Sequence, residues 1–114
     1  MDYQNQLANA RLAMAEVLLK IAKPTEALAN ALQARETFAR TAQIESVWRA
    51  SYLAACASQQ KNDGRAAREY AAQAESQLAA LRQRWGDDAF NGYLSRQDVK
   101  FYRQRLDGIR APTR

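Results

Sequence analysis

The 114-residue chain has no histidine, one cysteine, four glycines and two prolines. Without His, neither a Ser-His-Asp nor a Cys-His relay can be assembled, and a zinc site loses its usual nitrogen ligand. A single Cys rules out an internal disulfide. Catalytic, metal and cofactor sites are therefore expected to be absent. No apolar stretch approaches the roughly 20 residues needed to span a bilayer. The polar start Met1-Asp2-Tyr3-Gln4-Asn5 does not read as a signal peptide. The expectation is a cytoplasmic protein without membrane insertion.

Against these absences stand 24 alanines, with 47% of residues apolar and 25% charged. Ala is the strongest helix former, and few breakers interrupt it, so the composition predicts an all-α chain. A chain of this size buries about two-thirds of its unfolded surface, enough for one domain, residues 1–114, without covalent staples. The formal charge of +5 is uneven. Six basic and two acidic residues lie between Arg96 and Arg114, whereas the first 95 residues are nearly neutral. Such a tail can attract phosphates, and it equally suits the last turns of a helix.

Apolar residues recur at helical spacing. Leu7, Ala10, Met14, Val17, Leu18 and Ile21 predict the buried face of a first helix. Pro24, tolerated in a first turn, starts a second helix carrying Leu28, Ala31, Leu32, Arg35 and Phe38. Ile44, Val47, Trp48, Ser51, Tyr52 and Ala55 write a third, which ends before the turn signal Asn62-Asp63-Gly64. Ala67, Tyr70, Ala71, Ala74, Leu78, Leu81 and Trp85 write a long fourth, closed by Gly86. Two turns follow over 87–94. Ser95 and Asp98 suggest a capping box for a last helix from Arg96 to about Leu106, with Val99, Tyr102 and Leu106 inside. The hairpins are thus expected over 4–41 and 44–85 and the cap over 87–107. A frayed tail over 108–114 completes the chain.

Other constellations have structural explanations. Asp87-Asp88 falls at a helix start, where acids meet the positive end of the dipole. Cys56 has no His to activate it and reads as a small buried side chain. Trp48 and Trp85 fall on the apolar stripes of their helices, as packing residues do.

Sliding the chain along itself until Ala10 meets Ala50 also superimposes Ala15 on Ala55, Ala27 on Ala67, Ala31 on Ala71, Ala34 on Ala74 and Ala39 on Ala79. Gln33 likewise meets Gln73, and Lys23-Pro24 is matched by Asp63-Gly64. A fixed period in this range is the signature of stacked units. Ala at the hairpin crossings (Ala15 with Ala27, Ala55 with Ala67) allows two backbones close approach. This unit resembles a slightly lengthened tetratricopeptide repeat over about residues 7–85. Ala27, Ala34, Ala67 and Ala74 fit the family's small positions. Ala15 and Ala55 stand where the family favours Gly, and Arg11, Ser51, Ala31 and Ala71 where it favours aromatics. The stretch from Trp85-Gly86 through Asn91-Gly92-Tyr93-Leu94-Ser95-Arg96 to Leu106 resembles the closing segment of long bacterial tetratricopeptide proteins.

The resemblance implies two antiparallel hairpins in a right-handed α-solenoid segment, closed by a short helix and a C-terminal capping helix. It also implies a non-catalytic interaction or scaffold module, the C-terminal part of a larger bacterial signalling or regulatory protein. In that family the first helix of each pair lines a concave surface where peptides lie. By register these positions are Asn9, Leu12, Glu16 and Leu19 in the first unit, and Arg49, Tyr52, Cys56 and Gln59 in the second. Leu12 and Leu19 are surplus to the predicted stripe and are expected to be exposed there, with Tyr52 as the anchor for a peptide or protein partner. An N-terminal face exposing Leu7, Leu12 and Leu19 would favour weak homo-oligomerisation. The rival reading is a basic nucleic-acid or anionic-surface module using Lys100, Arg103, Arg105 and Arg110. Nucleic acid is the weaker of the two partners, because Tyr102 belongs to the buried stripe and leaves Phe101 alone to stack. A self-associating spacer is the third.

Overall fold

A computed structural model describes residues 3–110. They form six helices and no strand: α1 (Tyr3–Lys20), α2 (Pro24–Arg40), α3 (Ile44–Gln60), α4 (Gly64–Trp85), α5 (Asp87–Leu94) and α6 (Gln97–Arg110). The chain is all-α. Helices α1 to α4 pack in sequence, each on the next, and α6 lies against both α3 and α4.

The three links between these four helices are copies of one backbone device. Ala22, Ala42 and Asn62 adopt positive φ values of 59°, 59° and 62°, at equal intervals along the chain. In each link the next amide reaches back across the helix end. Lys23 N–H donates to Leu18 C=O at 2.8 Å, Gln43 to Phe38 at 2.9 Å and Asp63 to Ser58 at 2.9 Å. A second bond spanning two residues fewer accompanies each, from Ala22 to Leu19, Ala42 to Ala39 and Asn62 to Gln59. This is the Schellman closure, which satisfies carbonyls that the helix end leaves orphaned. Only the third link carries its expected signal at the left-handed position, as Asn62; Gly64 opens α4 instead. The Asp63 carboxylate accepts from Ala66 N–H at 3.1 Å and caps that helix. Gly86, at φ 86°, takes a conformation that only glycine adopts freely, and the chain turns there from α4 into α5.

The core runs through all six helices, with Trp48, Phe38, Leu81, Leu106 and Val99 its largest fully covered side chains. Four of the six alanine pairs in the repeat register are buried in both halves: Ala15 and Ala55, Ala27 and Ala67, Ala31 and Ala71, Ala34 and Ala74. Trp48 sits at the junction of hairpin and cap. Its indole N–H donates to Tyr93 Oη at 2.9 Å, and Tyr93 Oη donates in turn to Glu45 Oε2 at 2.7 Å. Burial, then the Glu45 contact, pushes the Tyr93 phenol well above its ordinary value. The bond chain fixes α5 to the start of α3. Trp85, expected to pack as Trp48 does, is instead exposed, its ring edge-on to Tyr93 at 5.1 Å.

Three expectations need correction. The buried side of α1 is Ala8, Leu12, Ala15 and Leu18; Leu7, Met14, Val17 and Ile21 face out. The helix is apolar on two sides. Ala8, Leu12 and Ala15 join the core with Ala31 and Ala34 of α2, where small side chains allow a close approach. Helix α6 continues to Arg110, because Ile109 adds a fourth apolar step to Val99, Tyr102 and Leu106 and is buried. Residues 111–114 of the expected frayed tail lie outside the described residues. The Ser95 hydroxyl donates to Gly92 C=O at 2.6 Å and closes α5, while Asp98 accepts from Val99 N–H and pairs with Arg96 at 2.7 Å.

Candidate functional site

Helices α1, α3 and α6 meet around an open cavity of about 280 Å³. The Schellman links place α1 and α3 side by side, and α5 turns the chain so that α6 lies along the far side of α3. Tyr52, Leu53 and Cys56 of α3 line the cavity together with Leu19 of α1 and Phe101 and Tyr102 of α6. Charge stands around this apolar lining: Glu16 and Lys20 from α1 and Arg105 from α6. Gln60 closes one end, its amide N–H donating to Leu19 C=O at 3.0 Å and tying α3 to α1.

The eight residues read from the sequence separate into groups. Glu16, Leu19, Tyr52 and Cys56 line the cavity. Arg49 lines an adjoining small cleft, makes a 3.9 Å ion pair with Glu16 and stacks 5.9 Å from the Tyr102 ring centroid. Asn9 and Gln59 are exposed and line neither. Leu12, expected on the open strip, is a core residue, and Leu19 is half-buried. Tyr52 is only 5% exposed because Tyr102 covers it, ring centroids 4.8 Å apart. It forms the floor of the cavity and does not project as an anchor.

The sequence reading missed Lys20, Leu53 and Gln60, and it placed Phe101 and Arg105 only on a separate basic surface, not beside α1 and α3. Lys20 and Gln60 had a signal: they are one helical step beyond Glu16 and Cys56 and are equivalent in the repeat register. For Phe101 and Arg105 no local signal existed, since only packing brings α6 to this face. Of the alternative basic set, Arg105 lines the cavity and Arg110 pairs with Glu75 at 3.9 Å. Lys100 is exposed and Arg103 half-buried, and neither lines it.

Burial, followed by the adjacent Cys56 thiol, raises the Tyr52 phenol far above its ordinary value, with Arg105 pulling the other way. Burial also pushes the Cys56 thiol up, again against Arg105. Both groups are neutral at physiological pH, so Cys56 presents a thiol and not the nucleophilic thiolate. Arg105 stacks 5.8 Å from the Phe101 centroid. Among the described residues, Lys20 and Arg105 take part in no ion pair, whereas Glu16 is engaged by Arg49. The result is an apolar, aromatic hollow with two cations at its edge and its carboxylate paired with Arg49. No helix among the described residues is long and apolar enough to cross a membrane. Compared with protein-family models, curated proteins and solved structures, the chain matches none of them.

Proposed function

We propose that this chain is a non-catalytic protein-interaction module, built as two tetratricopeptide-like hairpins with a helical cap, that seats a peptide in the hollow between α1, α3 and α6. One observation carries this reading: an open, aromatic-lined cavity of about 280 Å³ flanked by two cations that have no ion-pair partner among the described residues. That volume is at the small end of ligand clefts and suits one or two side chains of a peptide. The peptide chemistry that fits is a bulky apolar residue with a neighbouring carboxylate. The apolar side chain enters against Leu19, Leu53 and Phe101, and the carboxylate meets Arg105 and Lys20.

Selection from a displayed random-peptide library tests this. Enriched sequences should combine an acid with a Leu, Phe or Trp one or two positions away. Phe101→Ala and Arg105→Glu should each weaken the selected peptide about tenfold or more, the range of interface hot spots. Lys100→Glu, which removes a charge from the same helix outside the cavity, should leave it unchanged. Arg105 belongs to both readings of the site, so Lys100 decides between them. Equal losses at Lys100 and Arg105, with binding to generic duplex DNA that falls steeply with salt, would favour the nucleic-acid reading instead.

A further inference from the structure

The outward face of α1 is the largest apolar feature of the surface that the proposed site does not use. Tyr3, Leu7, Met14, Val17 and Ile21 are all exposed, from 39% at Leu7 to 73% at Tyr3. With Ala10, also exposed, they follow one another at steps of four, three, four, three and four residues. That alternation is the a/d seam of a heptad, the spacing a facing helix requires. The opposite side of α1, Ala8, Leu12, Ala15 and Leu18, is already committed to the core.

The same face of α3 shows what this surface is shaped to meet. In the repeat register Leu7, Ala10, Met14 and Val17 correspond to Val47, Ala50, Ala54 and Ala57, every one of them buried. Ala57 packs with Ala27 of α2 and Leu18 of α1. On α3 a neighbouring helix covers the face. On α1 the residues are larger and bare.

We propose that α1 docks on α1 of a second copy of this chain, antiparallel, across a two-fold axis beside Leu12. In that register Ala10 faces the partner's Met14, Leu7 faces the partner's Val17 and Tyr3 faces the partner's Ile21. The large Met14 thus meets the small Ala10, and the three layers repeat through the axis, as an isologous interface demands. On the flanks Lys20 lies beside the partner's Gln6, while Arg11 lies beside the partner's Arg11 across the two-fold axis, the one like-charge contact of the seam, which weakens the pair. Five exposed side chains per copy make a small interface, close to the lower bound of about 1000 Å² that a specific pair must bury. The dimer is therefore weak and concentration-dependent.

Sedimentation velocity on the whole chain from about 10 µM to about 1 mM reads the association directly. The mass should climb from monomer towards dimer, and Met14→Glu should hold it at monomer with unchanged helix content and melting temperature, since Met14 lies outside the core. A second measurement fixes the register. Leu7→Cys combined with Val17→Cys should give a disulfide-linked dimer under mild oxidation, while each single variant stays monomeric. The native thiol, Cys56, is 3% exposed and stays silent. Positions 7 and 17 are separated by about 15 Å along one helix, too far to bridge within a chain. A parent chain that remains monomeric throughout that concentration range, or a dimer that survives Met14→Glu, overturns the proposal. Single variants that cross-link as readily as the double variant overturn the antiparallel seam.

Discussion

Helices α1 and α3 occupy equivalent places in the two halves of the chain, yet they live in different surroundings. Helix α3 has eleven buried residues in 17, including an unbroken run from Ala50 to Ser58. Helix α1 has four in 18. Small residues dominate α3, with Ala at 50, 54, 55 and 57, because helices approach it from several sides and leave no room for larger ones. Of the equivalent places on α1, two keep Ala (Ala10 and Ala15) and two hold Met14 and Val17, whose bulk is accommodated because nothing in the chain stands opposite. The difference teaches that at 14/54 and 17/57 side-chain size follows the neighbours, while at 15/55 the crossing keeps Ala in both halves.

The largest effect that would sharpen this contrast is at Trp48, which α3 buries fully and ties to both Tyr93 and Tyr102. Trp48→Ala should cost about 3–5 kcal/mol in chemical denaturation, through the cavity left behind and the loss of the α5 contact.

Alkaline pH should act next. The Tyr52 phenol has a folded pKa raised above its ordinary 10.0, by burial first, so the folded state holds its proton after the unfolded state has released it. Stability is then fully present below the ordinary phenol pKa and declines as pH rises past it. Melting temperatures followed above pH 10 should fall more steeply for the parent than for Tyr52→Phe. Parallel curves would mean that Tyr52 reaches solvent more freely than its cover by Tyr102 allows.

Exchanging the equivalent residues tests the comparison most directly. Ala57→Val should destabilise by about 1–3 kcal/mol, because the added methyls meet packed helices. Val17→Ala on α1 should change monomer stability by less than about 0.5 kcal/mol. Similar costs at both sites, measured by urea denaturation at low protein concentration, would break the contrast between the two helices.

The smallest effect concerns the links. Ala22 and Ala42 hold a left-handed conformation. That conformation costs a side-chain-bearing residue roughly 1–2 kcal/mol. Glycine relieves this but loses more entropy on folding, so Ala42→Gly should raise stability by about 0.5–1 kcal/mol. The same change at Ala72, in the middle of α4, should lower it by a similar amount. A fall at both would show that the left-handed turn carries no strain for Ala.

Much of this architecture could be read before any coordinates. Pro24, Asn62-Asp63 and Gly86 mark three of the boundaries through their own backbone preferences, and four of the six repeated alanine pairs coincide again in the packed core. The link at Thr41–Gln43 has neither Gly nor Pro, and its turn shows only in the break between the stripes of α2 and α3. Within the candidate site, Glu16, Leu19, Tyr52 and Cys56 were reached from the sequence through the register that the repeat resemblance implies. Phe101 and Arg105 were not, because nothing in α6 says which helix it will lie against.

What the sequence determined by itself is local: helices from Ala-rich, breaker-poor segments, their ends from capping and turn residues, and two apolar sides on α1. Those properties depend on residues a few positions apart, whose geometry is set by about 3.6 residues per turn. Which side of α1 turns inward, how deeply Tyr52 is covered, and that α6 completes the cavity were decided only in three dimensions. Periodicity specifies a face but not the partner it meets, and the Tyr52–Tyr102 stack joins residues far apart in the chain. Burial is a property of the pair, and only the packed helices define the pair.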